Sequence, residues 1–294
     1  MSEQKEKRED NHSTTATGDE SEEDVALEEC NLLEEPTDFY RAPPQPKVVE
    51  YALDRGTGAP AQTLRFHLVA SHPLWAHYLW NGGRHIAGLI ARGALPVAGR
   101  RVLEFGAGAA VPSVVAALCG AAHVAATDFP EEPLLAPIRR NVAENIADPA
   151  TRARVAVHGF LWGADPTPLL RSGIADTADG AEDAQEDAQS DPEAGKYDVL
   201  LLGDLLANHT ALPDLARSVA QLMRRPRGTG VVAFSHHRPW LADRDLAIFA
   251  HLRRLGVEST QVAEVAADPM FAEDPGSLEV RRTIHVYKIF WPDV

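Results

Sequence analysis

Residues 101–108 read Arg-Val-Leu-Glu-Phe-Gly-Ala-Gly, and no other stretch constrains the fold so tightly. An apolar run ends in an acid, breaks into Gly-x-Gly and continues into a helix-forming stretch from Ala109 to Cys119. That pattern spells a strand, a tight turn and a helix. Gly106 and Gly108 lack a Cβ, so the backbone can turn sharply there and a ligand can lie close to it. About twenty residues on, His123 to Asp128 reads as a second short strand ending in an acid. A carboxylate at that place can accept both ribose hydroxyls of an adenosine.

Two details narrow the ligand. A dinucleotide fingerprint would carry a third glycine at position 111, where Val111 stands. Glu104 would repel a pyrophosphate, whereas an acid before Gly-x-Gly suits a cofactor with a cationic amino-acid end. S-adenosylmethionine is the ligand that fits best, with Glu104, Gly106, Ala107, Gly108 and Asp128 as its candidate contacts. Asp128 supports adenosine without separating this cofactor from NAD, and the glycine turn alone suits an ordinary βα connection equally well.

Charge shows how the chain is organised. Residues 1–30 hold eleven acids and three bases, and residues 174–195 hold eight acids and no base; of the formal −15, these two segments carry −16 and leave +1 for the rest. Residues 1–30 have too few large apolar side chains to offset the entropy of ordering, so a disordered acidic tail is expected there. Residues 174–195 read as an acidic low-complexity loop inserted into a single domain spanning 31–294, and such insertions are mild because closure entropy grows slowly with length. The acidity therefore says little about the partner of the catalytic domain. Cys30 and Cys119 are the only cysteines, which makes neither a disulfide framework nor a zinc site. With no signal-peptide pattern and no apolar run near 18 residues, the expectation is a soluble cytoplasmic monomer that meets neither nucleic acid nor membrane.

From residue 75 the pattern is a helix, then alternating strands and helices. A helix is expected over 75–91, with Gly82 and Gly83 as its weak points. Strands are expected at 101–105, 123–128, 154–161, 197–203 and 229–235, and helices near 109–119, 133–146, 211–225 and 241–255. The run DVLLL at 198–202 is continuously apolar, as a strand buried on both faces should be. Two β-rich runs at 259–266 and 281–290 can pair antiparallel. The fold class is α/β: a doubly wound, mostly parallel seven-stranded sheet with an antiparallel edge strand, the usual plan of class I methyltransferases.

Several blocks, in order, strengthen this: LLEEPTDFY at 32–40, SHPLWAHYLWNGG at 71–83, VLEFGAGAAVPS at 102–113, ATDFP at 126–130, GFLWG at 159–163, GDLLANHT at 203–210, FSHHRP at 234–239 and PMF at 269–271. Through them the chain resembles the fungal protein N-terminal and lysine methyltransferases that modify translation elongation factor 1-alpha, in the nicotinamide-N-methyltransferase-like branch of the seven-strand enzymes. The resemblance implies that Trp80 walls the cofactor pocket and that Trp162 stacks on the adenine, with Gly203 beside them. It implies that Asp204 and Asn208 position the amine as catalytic groups. Phe39, Tyr40, His209, His237 and Arg238 become substrate contacts, for the elongation factor's N-terminus. Two positions depart from the family pattern: Gly203 replaces a usual Ser and His236 a usual Pro.

Asp204 could instead be a helix N-cap. The adjacent histidines 236 and 237 lack a third ligand at useful spacing, so no metal is expected. A small-molecule N-methyltransferase acting on a nicotinamide-like base would share every cofactor motif, and a cofactor-binding pseudo-enzyme serving as an interaction module remains a rival. An NAD enzyme is disfavoured by Val111 and Glu104.

Overall fold

The computed structural model describes residues 45–174 and 193–292, apart from 57, 59 and 60. The acidic tail, Phe39, Tyr40 and residues 175–192 of the acidic insertion lie outside the described residues.

The chain enters through an antiparallel hairpin, β1 (Lys47–Leu53) and β2 (Gln62–Leu68). Tyr51, Leu53, Leu64, Phe66 and Leu68 recur at period two and are buried, which leaves the alternate positions to solvent. This hairpin was not among the sequence-based expectations. The free edge of β2 is closed by side chains of a later helix, α3 (Glu132–Asn145): Arg65 N donates to Asn145 Oδ1 at 2.8 Å and His67 N to Asn141 Oδ1 at 2.7 Å. An edge covered this way cannot recruit another strand.

The main sheet contains β3 (Arg101–Phe105), β4 (His123–Asp128), β5 (Val155–Gly159), β6 (Val199–Gly203), β7 (Thr229–Phe234), β8 (Glu258–Ala266) and β9 (Thr283–Phe290). Their spatial order is β5-β4-β3-β6-β7-β9-β8. The first five in that order run parallel. β9 is antiparallel to both β7 and β8, which provides the antiparallel ending expected at this edge. The chain winds outward from β3 through β4 to β5, then returns to place β6 on the other side of β3. Strand order reverses there, and open α/β sheets bind ligands outside the carboxyl ends of the strands at such a point.

Burial on both faces explains the apolar strands. In β6, Val199 and Leu201 join the core under α1 (Asn81–Ala91) and α2 (Val111–Leu118), while Leu200 and Leu202 join the core under α4 (Leu212–Leu222) and α5 (Ala247–Arg254). Each such side chain contributes about 1.5–3 kcal/mol by leaving water.

Two helix expectations need correction. α1 begins at Asn81, and residues 71–80 form turns in which Trp75 takes φ +63°, a left-handed value that no α-helix continues through. Gly82 and Gly83 are not weak points inside a helix but the site where its first turn meets the sheet. A Cβ on Gly82 would lie 2.3 Å from Ala233 O, and one on Gly203 would lie 2.8 Å from Gly83 N. The expected helix at 241–255 is interrupted at Leu246, giving a short turn at Ala242–Asp245 ahead of α5.

Candidate active site

A cavity of about 320 Å³ opens at the reversal of strand order, within the range of small-ligand pockets. Gly106 and Gly108 line it after β3, Asp128 and Phe129 after β4, Phe160 to Trp162 after β5, Gly203 to Leu205 and Asn208 after β6, and His237 after β7. Trp75 and Trp80 reach it from the segment before α1. Leu74, Trp75 and Leu161 are about half exposed at its mouth.

The turn after β3 is set by two left-handed glycines, φ +55° at Gly106 and +52° at Gly108. Ala107, between them, donates its N–H to Thr127 O at 2.8 Å and is not part of the cavity lining. Asp128 holds the turn in place: Oδ2 accepts from Gly108 N and Oδ1 from Phe129 N, both at 2.7 Å. Burial raises the Asp128 pKa, against the lowering effect of these two backbone donors. Each oxygen still has acceptor capacity for a ligand hydroxyl.

Glu104 does not face the cavity. It is 5 % exposed, and its Oε2 accepts from Ser113 N at 3.0 Å and from the Ser113 hydroxyl. Side chains alternate along β3, and Glu104 falls with Val102 on the face that α2 covers. There the carboxyl satisfies a first-turn N–H of α2, and burial pushes its pKa up to about 8. The expectation that it meets a cationic cofactor end is therefore corrected.

Asp204 lines the cavity and also takes up the helix N-cap role that was the alternative reading of it. It takes φ +55°, and its side chain is 1 % exposed. Its Oδ2 accepts from Gly82 N at 2.5 Å, and its Oδ1 accepts from Ser235 N and His237 Nε2, each at 3.1 Å. The carboxylate is thus a long-range N-cap for α1. It joins the ends of β6 and β7 and carries the His237 ring into the cavity wall. That ring lies 5.0 Å from Trp80, centroid to centroid, at 61°. Trp80 is fixed in turn by its Nε1–H, which donates to Trp75 O at 3.1 Å, and by Phe271, edge-on at 5.9 Å.

The adjacent histidines diverge. His236 Nδ1 and His209 Nε2 each lie 2.7 Å from opposite oxygens of Asp245, which is 6 % exposed. Arg238 donates to Ala207 O at 2.9 Å. Neither His209 nor Arg238 lines the cavity; with Asp245 they clasp the loop that bears Asn208 to the loop that bears His237.

The chain resembles known proteins over nearly its whole length. It is 37% identical over 275 residues to the protein N-terminal and lysine N-methyltransferase EFM7 of Eremothecium gossypii, covering 90% of this chain and 96% of the other. The protein of the same name from Schizosaccharomyces pombe is 34% identical over 270 residues, covering 92% and 98%. This chain belongs to the EFM7 family of protein N-terminal and lysine N-methyltransferases. No protein-family profile matches it. Among solved structures, a putative SAM-dependent methyltransferase from Streptococcus mutans overlays with a TM-score of 0.48 at 12% identity, covering 76% of this chain and 53% of that one, too loosely to bear on the site.

In this EFM7-family cavity, Trp80, Gly106, Gly108, Asp128, Trp162, Gly203, Asp204, Asn208 and His237 come together. Glu104, Ala107, His209 and Arg238 stand behind it. Asp245 was not found from sequence: it lies in Leu-Ala-Asp-Arg-Asp, where no spacing signals its two histidine partners.

Proposed function

We propose that this chain transfers methyl groups from S-adenosylmethionine to the N-terminal α-amine and a nearby lysine of translation elongation factor 1-alpha in the cytoplasm. The observation that carries this reading is the match to EFM7 proteins across nine-tenths of the chain. The cavity is compatible with the cofactor. Asp128 has acceptor capacity for ribose hydroxyls, Trp162 offers a flat apolar surface for adenine, and Gly106 and Gly108 let the amino-acid end lie against backbone. Bound there, S-adenosylmethionine supplies a methyl group on an already activated sulfonium, so the protein mainly positions the amine. The half-exposed Leu74, Trp75 and Leu161 at the mouth suit an extended peptide rather than a small enclosed base.

The amine must be neutral to attack. An α-amine titrates near about 7.7–8.0 and a lysine near about 10.4, so the lysine needs more help in losing its proton. The deciding experiment offers the enzyme a peptide of the factor's first several residues and, separately, nicotinamide, with mass spectrometry of both. A methylated peptide and untouched nicotinamide are expected; the reverse result sinks the protein-substrate reading. Calorimetry adds a check on the cofactor: Asp128→Ala should lower affinity for S-adenosylmethionine at least about tenfold, since hydrogen bonds to a charged group contribute about 1.5–3 kcal/mol.

A further inference from the structure

We propose that His237, held by Asp204, is the group that takes the proton from the bound amine. The inference rests on the methyltransferase reading of this cavity and adds a residue role to it. Asp204 was the sequence-based candidate for contact with the amine, yet three protein donors converge on its two oxygens and its side chain is 1 % exposed. Asp204 lines the cavity, but its acceptor sites are taken up within the protein, and the side chain it holds there is the His237 imidazole. An ionised carboxylate only accepts hydrogen bonds, so the nitrogen facing it, Nε2, carries the ring hydrogen. In the neutral ring Nδ1 then keeps its lone pair, and among the described residues no hydrogen bond engages Nδ1. Asp204 is itself fixed by two backbone N–H groups from α1 and from the end of β7, so the pair is held firmly. An acid that fixes the tautomer of a histidine and stabilises its protonated form is a recurrent arrangement in proton transfer.

The surroundings restrict the alternatives. Trp80 and Phe271 face the ring edgewise at 5.0 and 6.2 Å and carry no charge. On its own loop, His236 is committed to Asp245 and Arg238 to Ala207 O. Asp204 is thus the one charged side chain hydrogen-bonded to the ring among the described residues.

The step balances simply. A bound ammonium passes one proton to His237 Nδ1, which frees the nitrogen lone pair. That pair forms the N–C bond as the methyl's bond to sulfur breaks, and the breaking pair stays on sulfur. The imidazolium, stabilised by Asp204, gives its proton to water. A second or third methylation of the same nitrogen requires the same removal again.

The test compares wild type with His237→Gln, which keeps a side-chain donor for Asp204 but cannot take up a proton. Near neutral pH, kcat on the peptide should fall about 100-fold, with KM and S-adenosylhomocysteine affinity by calorimetry nearly unchanged. The deficit should shrink as pH rises past the range in which the free amine loses its proton unaided. Nitrogen-resolved NMR of the wild-type ring should show the hydrogen on Nε2. A constant deficit at every pH, unchanged kcat, or a hydrogen on Nδ1 would overturn the proposal. Should the Gln variant fold poorly, His237→Ala assayed with added imidazole takes its place, and failure of rescue counts against it. Wild type that leaves the peptide unmethylated indicts the functional reading instead.

Discussion

Glu104 and Asp204 sit at the ends of neighbouring parallel strands, and each caps a helix with its carboxyl. Their settings diverge from there. Glu104 reaches Ser113, nine residues on in the same βα unit. Asp204 reaches Gly82, 122 residues back, and Ser235 and His237 beyond the next strand. Glu104 receives two donors from one residue, and desolvation dominates, so its carboxyl pKa is pushed up to about 8. Asp204 receives three donors from two distant segments, the start of α1 and the loop after β7. The first acid closes a local turn, while the second ties together three parts of the active site. Acids near the carboxyl ends of neighbouring strands therefore do unequal jobs, and the number of distant donors separates them.

The largest expected effect follows from that difference. Asp204→Ala strands Gly82 N, Ser235 N and the His237 ring, and each buried donor left unsatisfied costs about 1–3 kcal/mol. Chemical denaturation should show a loss larger than that of a single donor together with lost turnover. A stable variant that merely turns over slowly would restore Asp204 to the simpler role of amine contact. At Glu104 only one helix turn loses its partner, so Glu104→Ala should cost less, about 1–3 kcal/mol.

The same contrast explains what could be seen in the sequence. The β3 turn was legible because strand, glycines and helix are contiguous, and Asp128 follows one strand later. The hairpin went unanticipated, although its pattern was legible: Tyr51 and Leu53, then Leu64, Phe66 and Leu68, alternate as a half-buried ribbon should. The start of α1 was not. Residues 71–80 owe their shape to Trp75, Tyr78 and Trp80 packing on Phe271, some 190 positions away. Strand-end acids announce their location but not their direction. Glu104 was expected to face ligand and instead caps α2; Asp204, for which a helix N-cap was the alternative, lines the cavity and caps α1, a helix whose approach no local pattern reports.

The titration of Glu104 gives the next prediction. Its folded pKa lies above its ordinary 4.5, so between these values the folded chain holds a proton that the unfolded chain has released. Stability from this group is present at low pH and falls as pH rises, at about 1.4 kcal/mol per pH unit. From about pH 5.5 to 7.5, wild type should lose about 2–3 kcal/mol relative to Glu104→Gln, which cannot ionise. Parallel denaturation curves at both pH values would mean that the carboxyl stays ionised in its burial site and that the contrast with Asp204 is weaker than drawn.

The smallest effects test the β3 turn itself. Gly106 and Gly108 share a left-handed φ, but a Cβ at Gly106 would come within 2.5 Å of Leu205 Cδ2, while one at Gly108 would meet nothing within 4 Å. Leu205 follows Asp204 directly, so Gly106 is where the two turns touch. Gly106→Ala combines backbone strain of about 1–2 kcal/mol with displacement of the Leu205 side chain. Gly108→Ala carries the strain alone and points a methyl group into open cavity. The first variant should therefore melt lower than the second, and the second should lose more S-adenosylmethionine affinity relative to its lost stability. Thermal denaturation and calorimetry on the pair measure both quantities. Equal melting temperatures would show that Leu205 yields freely, and the two turns would then be mechanically independent despite their contact.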